Sequence, residues 1–286
     1  MARHNVGLFY GFVVRDPIIK KENDFYIQGA MHLCVISGYR KTGDNDEDKV
    51  SYSTPVIYTQ DSDMIRTMDS LQKNDVVIIK GMISTRAHQK PSQCPHCGGK
   101  NIVNGVLTYI TPISINLEHR PADQFEAQEL ISQHREISNT VTLVGYVCND
   151  LNTYRSPRGF QTTEYEIAVN RKFKVDADGS EIRTDYPWIY SYGRIAEADR
   201  DMLKIGTNVM VEGAFKTSEF KSTLNCSTCG EAYEWNDFNS EIVAYSTDYL
   251  QNYNTPEETE MIHINEIRAR EAAANGYSED DNTEEV

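Results

Sequence analysis

Four of the six cysteines stand as two pairs, Cys94-Pro95-His96-Cys97 and Cys226-Ser227-Thr228-Cys229, each followed by glycine. Two intervening residues let both thiolates of a pair reach one tetrahedral ion, and the glycine permits the tight turn of a zinc knuckle. One pair supplies two ligands where a structural zinc takes four. The economical arrangement is one Cys94, Cys97, Cys226, Cys229 site shared by the two pairs. The other gives each pair its own ion, with His88 or His96 completing the first and neither His nor further Cys near the second. A redox Cys-x-x-Cys normally opens a helix after a strand, a context absent here. Cys34 and Cys148 fall in strand-like runs and read as small buried apolar residues. No Gly-x-x-x-x-Gly-Lys phosphate loop, Gly-x-Ser-x-Gly elbow or His-Glu-x-x-His pair is present, so the expectation is a protein without turnover.

The elements that must position these cysteines are repeated. Pro55-Val56-Ile57-Tyr58 recurs as Pro187-Trp188-Ile189-Tyr190, Val77 to Gly81 as Val209 to Gly213, and Cys94/Cys97 as Cys226/Cys229, all at a spacing of 132 residues. Nearer the start of each copy the spacing is two longer, pairing Asn5 with Asn139, Gly11 with Gly145 and Val13 with Val147. A duplication fixes domain boundaries before any secondary structure is assigned. It divides the chain into a first domain over 1–118, a linker over 119–137, a second domain over 138–250 and a tail over 251–286.

Within the second copy, runs at 141–147, 166–169, 188–192, 208–215 and 241–245 have the composition of strands, and 196–203 reads as a helix between the third and fourth. Five strands with that one helix follow the plan of an OB-fold barrel; a five-stranded barrel of another topology meets the same count. The expected class is all-β, two tandem OB-fold barrels. Residues 121–134 read as a linker helix with Phe125, Leu130 and Ile131 on its apolar side. Thr255-Pro256-Glu257-Glu258 is a capping box with proline at the first helical position, opening a helix to about 274 with Met261, Ile264 and Ile267 facing one way. Residues 278–286 have almost nothing to bury and read as a disordered acidic end.

Hydrophobic residues make up 39% of the 286, with 17 Tyr, 9 Phe and 2 Trp, enough to fill cores of ordinary size. The start lacks the apolar stretch of a secretory signal and no run approaches a membrane span, so the chain reads as a cytoplasmic protein of a bacterial cell or of a phage or mobile element's host. The net charge of −15 argues against a nucleic-acid partner on its face, but residues 256–286 carry −8 of it. The body is mildly acidic, and local runs such as Arg171-Lys172-Phe173-Lys174 and 216–221 leave room for a basic groove.

The second copy resembles the bacterial single-stranded-DNA-binding proteins. The resemblance covers about 80 residues: Asn139-Thr140-Val141-Thr142-Leu143-Val144-Gly145, Glu166-Ile167-Ala168-Val169-Asn170-Arg171, Gly193-Arg194-Ile195-Ala196-Glu197 and Leu203-Lys204-Ile205-Gly206-Thr207, then Val209 to Gly213. Members of that family stack bases on aromatics at four positions, which read onto this chain as Phe173, Tyr186, Tyr192 and Phe220. Strand alternation puts Trp188 on the face of Tyr186 and turns Ile189 inward. Arg171, Lys172, Lys174, Arg194, Lys216 and Lys221 lie beside these rings in the chain and are candidates to hold phosphates. Stacking contributes about 1–3 kcal/mol per base whatever the sequence. The implied function is sequence-tolerant binding and protection of single-stranded DNA in replication or recombination.

In the first copy the counterparts of the four rings are Tyr39, Thr54, Gln60 and His88, with Tyr52 and Tyr58 nearby, and the loop at 43–48 is acidic. Weaker DNA binding is expected there. The family presents four barrels to DNA, a number that two copies of this chain reach as a homodimer. Its members also dock replication and repair proteins through an acidic tail with a hydrophobic tip; here the acidic part is present and the tip is not. A non-enzymatic scaffold subunit of a replication, recombination or transcription complex is the alternative reading, and a metal-dependent nuclease the enzymatic one. The nuclease needs carboxylates near a groove whose matched positions are aromatic or basic.

Overall fold

The computed structural model describes residues 4–23, 25–40, 49–155, 159–171 and 184–276. The first copy runs β1 (His4–Val13), β2 (Ile18–Glu22), β3 (Phe25–Arg40), β4 (Lys49–Ser53), β5 (Val56–Thr59), α1 (Ser62–Asp69), β6 (Val76–Gln93) and β7 (Lys100–His119). Helix α2 (Gln124–Gln133) and a 3-10 turn (Arg135–Ile137) lead to the second copy. This runs β8 (Asn139–Val147), β9 (Asn152–Arg155), β10 (Gln161–Asn170), β11 (Thr184–Asp185), β12 (Trp188–Tyr192), α3 (Arg194–Met202), β13 (Asn208–Asn225) and β14 (Ala232–Gln251). Helix α4 (Pro256–Gly276) follows. No helix among the described residues is long and apolar enough to cross a membrane.

Each copy closes as a barrel by the same two pairings. A parallel contact joins β5 to β7 at Ile57↔Ile110 and β12 to β14 at Ile189↔Ile242, one repeat spacing apart. The first strand also pairs with the long curved one, β1 with β3 and β8 with β10. At these crossings a side chain would collide with backbone: a Cβ on Gly11 falls 2.3 Å from the Cys34 carbonyl oxygen, and one on Gly145 falls 2.7 Å from that of Ala168. That is why the repeat keeps glycine there. Inward residues such as Phe9, Leu33, Ile57 and Ile79 in the first barrel, and Leu143, Tyr165, Ile189 and Phe215 in the second, are fully buried.

The barrels are not separate. β1 and β8 pair antiparallel, with Asn5↔Leu143 and Phe9↔Asn139, and fuse them into one 14-stranded sheet. The repeated asparagines sit at this seam. Asn5 donates to the Ile83 carbonyl and accepts from the Ile83 N–H, both at 2.8 Å. Asn139 does the same to Phe215 at 2.7 and 2.8 Å. Side-by-side contacts repeat as well: Thr85 accepts from the Tyr186 N–H at 2.9 Å, and Thr217 accepts from the Thr54 N–H at 2.9 Å. Each copy's β-hairpin therefore leans against the other copy's barrel.

Three sequence expectations need correction. β6–β7 and β13–β14 extend far beyond the expected strands as hairpin arms paired to Gln93↔Lys100 and Asn225↔Ala232. The arms pack on no large core, so residues 217–225 carry no clean apolar alternation to announce a strand. In α2 the buried residues are Ala127 and Ile131, while Phe125 in the first turn is exposed. In α4 the capping box forms, with Glu258 accepting from the Thr255 N–H at 2.8 Å and Thr255 accepting from the Glu258 N–H at 3.3 Å. Met261 and Ile267 are exposed, however, and the helix is held by polar groups to α3, through His263 to Asp201 at 2.9 Å, and to the turn after it, through Glu258 to Lys204 at 2.9 Å. The acidic end at 277–286 lies outside the described residues.

Candidate nucleic-acid interface and metal centre

Strand β12 sets the face. Pro187, Ile189 and Ser191 turn into the second barrel, while Tyr186, Trp188, Tyr190 and Tyr192 alternate with them on the outer side. Tyr186 and Tyr192 are 45% and 41% exposed, and Trp188 and Tyr190 are half-buried. Phe220, on the β13 arm, is 43% exposed. Lys216 lies lower on the same strand, its ammonium 5.9 Å from the Tyr192 ring centroid and 3.6 Å from a Glu241 oxygen. Arg194 opens α3 in an exposed position. Phe173, Lys172 and Lys174 lie outside the described residues.

Arg171 departs from its expected role. Its side chain is buried, with Nε 2.6 Å and one terminal nitrogen 2.8 Å from the two oxygens of Asp185, a bidentate pair that ties β10 to β11. Asp185 also accepts from the Thr85 N–H of the first copy's arm at 2.7 Å. Arg171 is thus a brace beneath the groove rather than a phosphate contact. Cys148 departs too: it is exposed just past the end of β8, its thiol 3.3 Å from the Glu166 carbonyl oxygen. Although the residue is exposed, partial desolvation of its sulfur and the neighbouring Glu166 push that thiol up to about 11. Cys34 is buried as expected, and burial raises its thiol to about 12.

The face carries carboxylates beside the aromatic and basic positions expected there. Register sets Glu164 opposite Tyr190 and Glu166 opposite Trp188. Glu164 accepts from the Tyr154 hydroxyl at 2.5 Å and the Asn152 amide at 3.1 Å. Burial raises Glu166, and it raises Glu241 against the pull of Lys216. Burial, with Glu241 adding to it, moves the Tyr192 phenol up to about 12. These carboxylates do not gather into a metal site; among the described residues, the cluster of potential ligands is the cysteine set. Tyr190 was legible from the strand period. Glu164, Glu166 and Tyr154 were not, because their place depends on which residues pair across β9, β10 and β12.

The hairpin arms bring the four cysteines together. Cys94, Cys97, Cys226 and Cys229 have their sulfurs all within 4.8 Å of one another, with Cys97 to Cys226 at 3.6 Å and Cys94 to Cys229 at 3.9 Å. A tetrahedral ion with sulfur ligands at about 2.3 Å needs sulfur separations of about 3.8 Å, so the set fits one metal ion. The two tips are built alike. Cys94 and Cys226 donate to the carbonyls of Gly99 and Glu231, and Gly98 and Gly230 donate back to the carbonyls of Cys94 and Cys226, all at 2.9 Å. Gly98 and Gly230 sit at φ 72° and 77°, where a side chain would be strained. N–H groups of Cys229 and Thr228 lower the Cys226 thiol, whereas the neighbouring sulfurs raise Cys97 and Cys229, so without a cation the cluster favours one thiolate and not the four that a metal requires. Tyr233 packs beside the site and bridges the arms, bonded to Ser92 at 2.8 Å and to Asn101 at 3.0 Å.

Comparison with known proteins agrees with this geometry. Residues 138–228 match the model of the Single-strand binding protein family. Single-stranded DNA-binding protein 1 of Chlorobaculum tepidum is 28% identical over 79 residues, which are 28% of this chain and 49% of that protein. The chain thus spans about half the length of this curated relative. Among solved structures, a deletion variant of the single-stranded DNA binding protein from Thermus aquaticus superposes with TM-score 0.57 at 16% identity, covering 90% of this chain and all of that one. The wild-type Thermus aquaticus protein gives 0.56 at 14% identity, with 89% and 97% covered. The fold, two tandem OB-fold barrels, is similar to those structures, and the resemblance read from residues 139–213 falls within the residues that match the family model.

Proposed function

We propose that this protein binds and protects single-stranded DNA during replication or recombination, without catalysis and with little base preference on its second barrel. The observation that carries this is the outward row of Tyr186, Trp188, Tyr190 and Tyr192, running into and along β12, with Phe220 exposed on the β13 arm. Rings in a shallow groove stack on any base, and Lys216 and Arg194 stand near them to meet the backbone. Phe173, Lys172 and Lys174, outside the described residues, belong by sequence to the set that the family resemblance implies. Glu164, Glu166 and Glu241 moderate the attraction of the groove for phosphate, so stacking contributes more of the affinity than charge.

The metal held by Cys94, Cys97, Cys226 and Cys229 is zinc in this reading, a single structural ion that supplies rigid attachment of one arm to the other. All-thiolate coordination and reduced, unbridged cysteines suit a cytoplasmic location. The β1–β8 seam already joins two barrels within one chain, and a homodimer supplies four. The acidic tail is the candidate contact for replication or recombination proteins.

Titration of the purified protein with a fluorescent oligo-dT strand and with a matching duplex tests the function. Tight, salt-weakened binding confined to the single strand supports it. Equal or negligible binding to both refutes it.

A further inference from the structure

The first barrel has a groove of different chemistry from the second. Its cavity, about 730 Å³, lies over β5 and the base of the β6–β7 arm. Val56, Tyr58, Leu107 and Tyr109 make an apolar floor, with the Tyr58 and Tyr109 rings edge to face at 5.6 Å. The repeat makes Tyr58 the equivalent of Tyr190, and register identifies what faces each. Tyr58 is opposite Ala30 where Tyr190 is opposite Glu164, and Val56 is opposite His32 where Trp188 is opposite Glu166. The carboxylates of the second groove are therefore replaced by a methyl group and an imidazole.

Gln28, two residues before Ala30 and on the same face of β3, lines this cavity. Its carbonyl oxygen lies 3.5 Å from the Tyr58 hydroxyl. An amide still has two N–H donors and a second lone pair to offer, the donor and acceptor combination that pairs bidentately with adenine. In a single strand the base edges are open to such contact. Arg86 lies at the rim, exposed, and lines a second cavity of about 420 Å³ with Val106, Thr184 and Tyr186. One guanidinium thus stands between the first barrel's cavity and the ring that begins the second barrel's aromatic row.

We propose that the first barrel is a base-reading site: Gln28 recognises the edge of an adenine lying over Tyr58 and Tyr109, and Arg86 holds the phosphate of the strand as it passes to Tyr186. The protein then combines a sequence-tolerant groove with a selective one. This rests on the single-strand-binding function proposed above and assigns the first barrel a part of its own.

The test is anisotropy competition between an oligo-dT strand and the same strand with three adjacent adenines, using wild type, Gln28→Ala, Gln28→Glu, Arg86→Ala and the second-barrel variant Tyr192→Ala. Wild type is expected to favour the adenine strand about tenfold, the scale of one bidentate base contact. Both Gln28 variants should remove that preference; Gln28→Ala should leave dT affinity near wild type, whereas Gln28→Glu, which keeps the side chain's size but loses the donor and adds a carboxylate, should also weaken dT binding. Arg86→Ala should weaken both strands alike, and Tyr192→Ala should weaken both while leaving their ratio intact. A wild type that binds both strands equally, or Gln28 variants that keep the ratio, overturns the base-reading site alone. A wild type that binds neither strand overturns the underlying function as well.

Discussion

If one ion is shared by both hairpin tips, removing a cysteine from either copy must loosen both. The perturbation is Cys226→Ser, with Cys94→Ser as its mirror. The tips hold themselves by four turn hydrogen bonds, those of the Cys94, Gly98, Cys226 and Gly230 amides, all at 2.9 Å. With two bonds to a tip and about 1 kcal/mol from each, a tip without metal protects its amides from exchange only about thirtyfold. With metal, opening a tip also breaks thiolate coordination, for which apparent binding energies of structural zinc in finger peptides are about 10–16 kcal/mol. The arms below the tips retain Ser92 and Asn101 on Tyr233 and the Ser227 N–H on Asn101 at 2.9 Å, roughly 3 kcal/mol between them. The barrels should not respond, since the main core contains none of the four cysteines. Hydrogen exchange read by mass spectrometry on peptides spanning 93–100 and 225–232 is the assay. Cys226→Ser should deprotect both peptides, abolish bound metal, and leave β1 and β8 protected. Deprotection of 225–232 alone, or one metal ion remaining per chain, would refute the shared site.

Acid should tighten DNA binding through the second groove. Glu166 and Glu241 are raised by burial, so lowering the pH from 7.5 toward 5 protonates them ahead of ordinary carboxylates and removes negative charge from the face. Affinity for oligo-dT should rise over that interval, and the Glu166→Gln, Glu241→Gln double variant should bind more tightly at pH 7.5 with a flatter profile. On the first barrel, burial and Arg15 lower His32, so its imidazole gains charge only toward the acidic end of that interval. Asn139→Ala leaves the buried Phe215 N–H and carbonyl without their partner and should cost about 2–6 kcal/mol in urea unfolding, at about 1–3 kcal/mol per unmet group. A loss under 0.5 kcal/mol would mean that the seam does not depend on it. Arg171→Ala leaves Asp185 buried with its charge unpaired and should destabilise by about 3–5 kcal/mol. The same unfolding measurement checks it.

The duplication was the most legible feature of the sequence, because it depends on identity at a fixed spacing rather than on propensity. Asn5 with Asn139 and Gly11 with Gly145 stand out in it, and the structure gives each pair the same task in both copies. The outward set Tyr186, Trp188, Tyr190 and Tyr192 follows from the two-residue period of a strand, with Ile189 inward. What sequence could not supply is pairing across strands. Arg171 looked like a phosphate ligand because Lys172 and Lys174 adjoin it, but its partner Asp185 comes from a strand that only the barrel brings near. Glu166 was legible as part of a strand, but only register sets it opposite Trp188 and Glu164 opposite Tyr190. Phe125 followed the helical period yet remains exposed, since α2 is anchored by Ala127 and Ile131 instead.

The DNA-binding face is tested most directly by the affinity of Tyr192→Ala and Phe220→Ala, singly and together, for oligo-dT at two salt concentrations. Each ring contributes about 1–3 kcal/mol by stacking, so each single variant should lose roughly 5- to 150-fold in affinity. The double variant should lose more, with the slope against salt nearly unchanged, because the phosphate contacts remain. Variants that fold and bind like wild type would contradict the claim that the outer row of β12 and the β13 arm form the DNA-binding face.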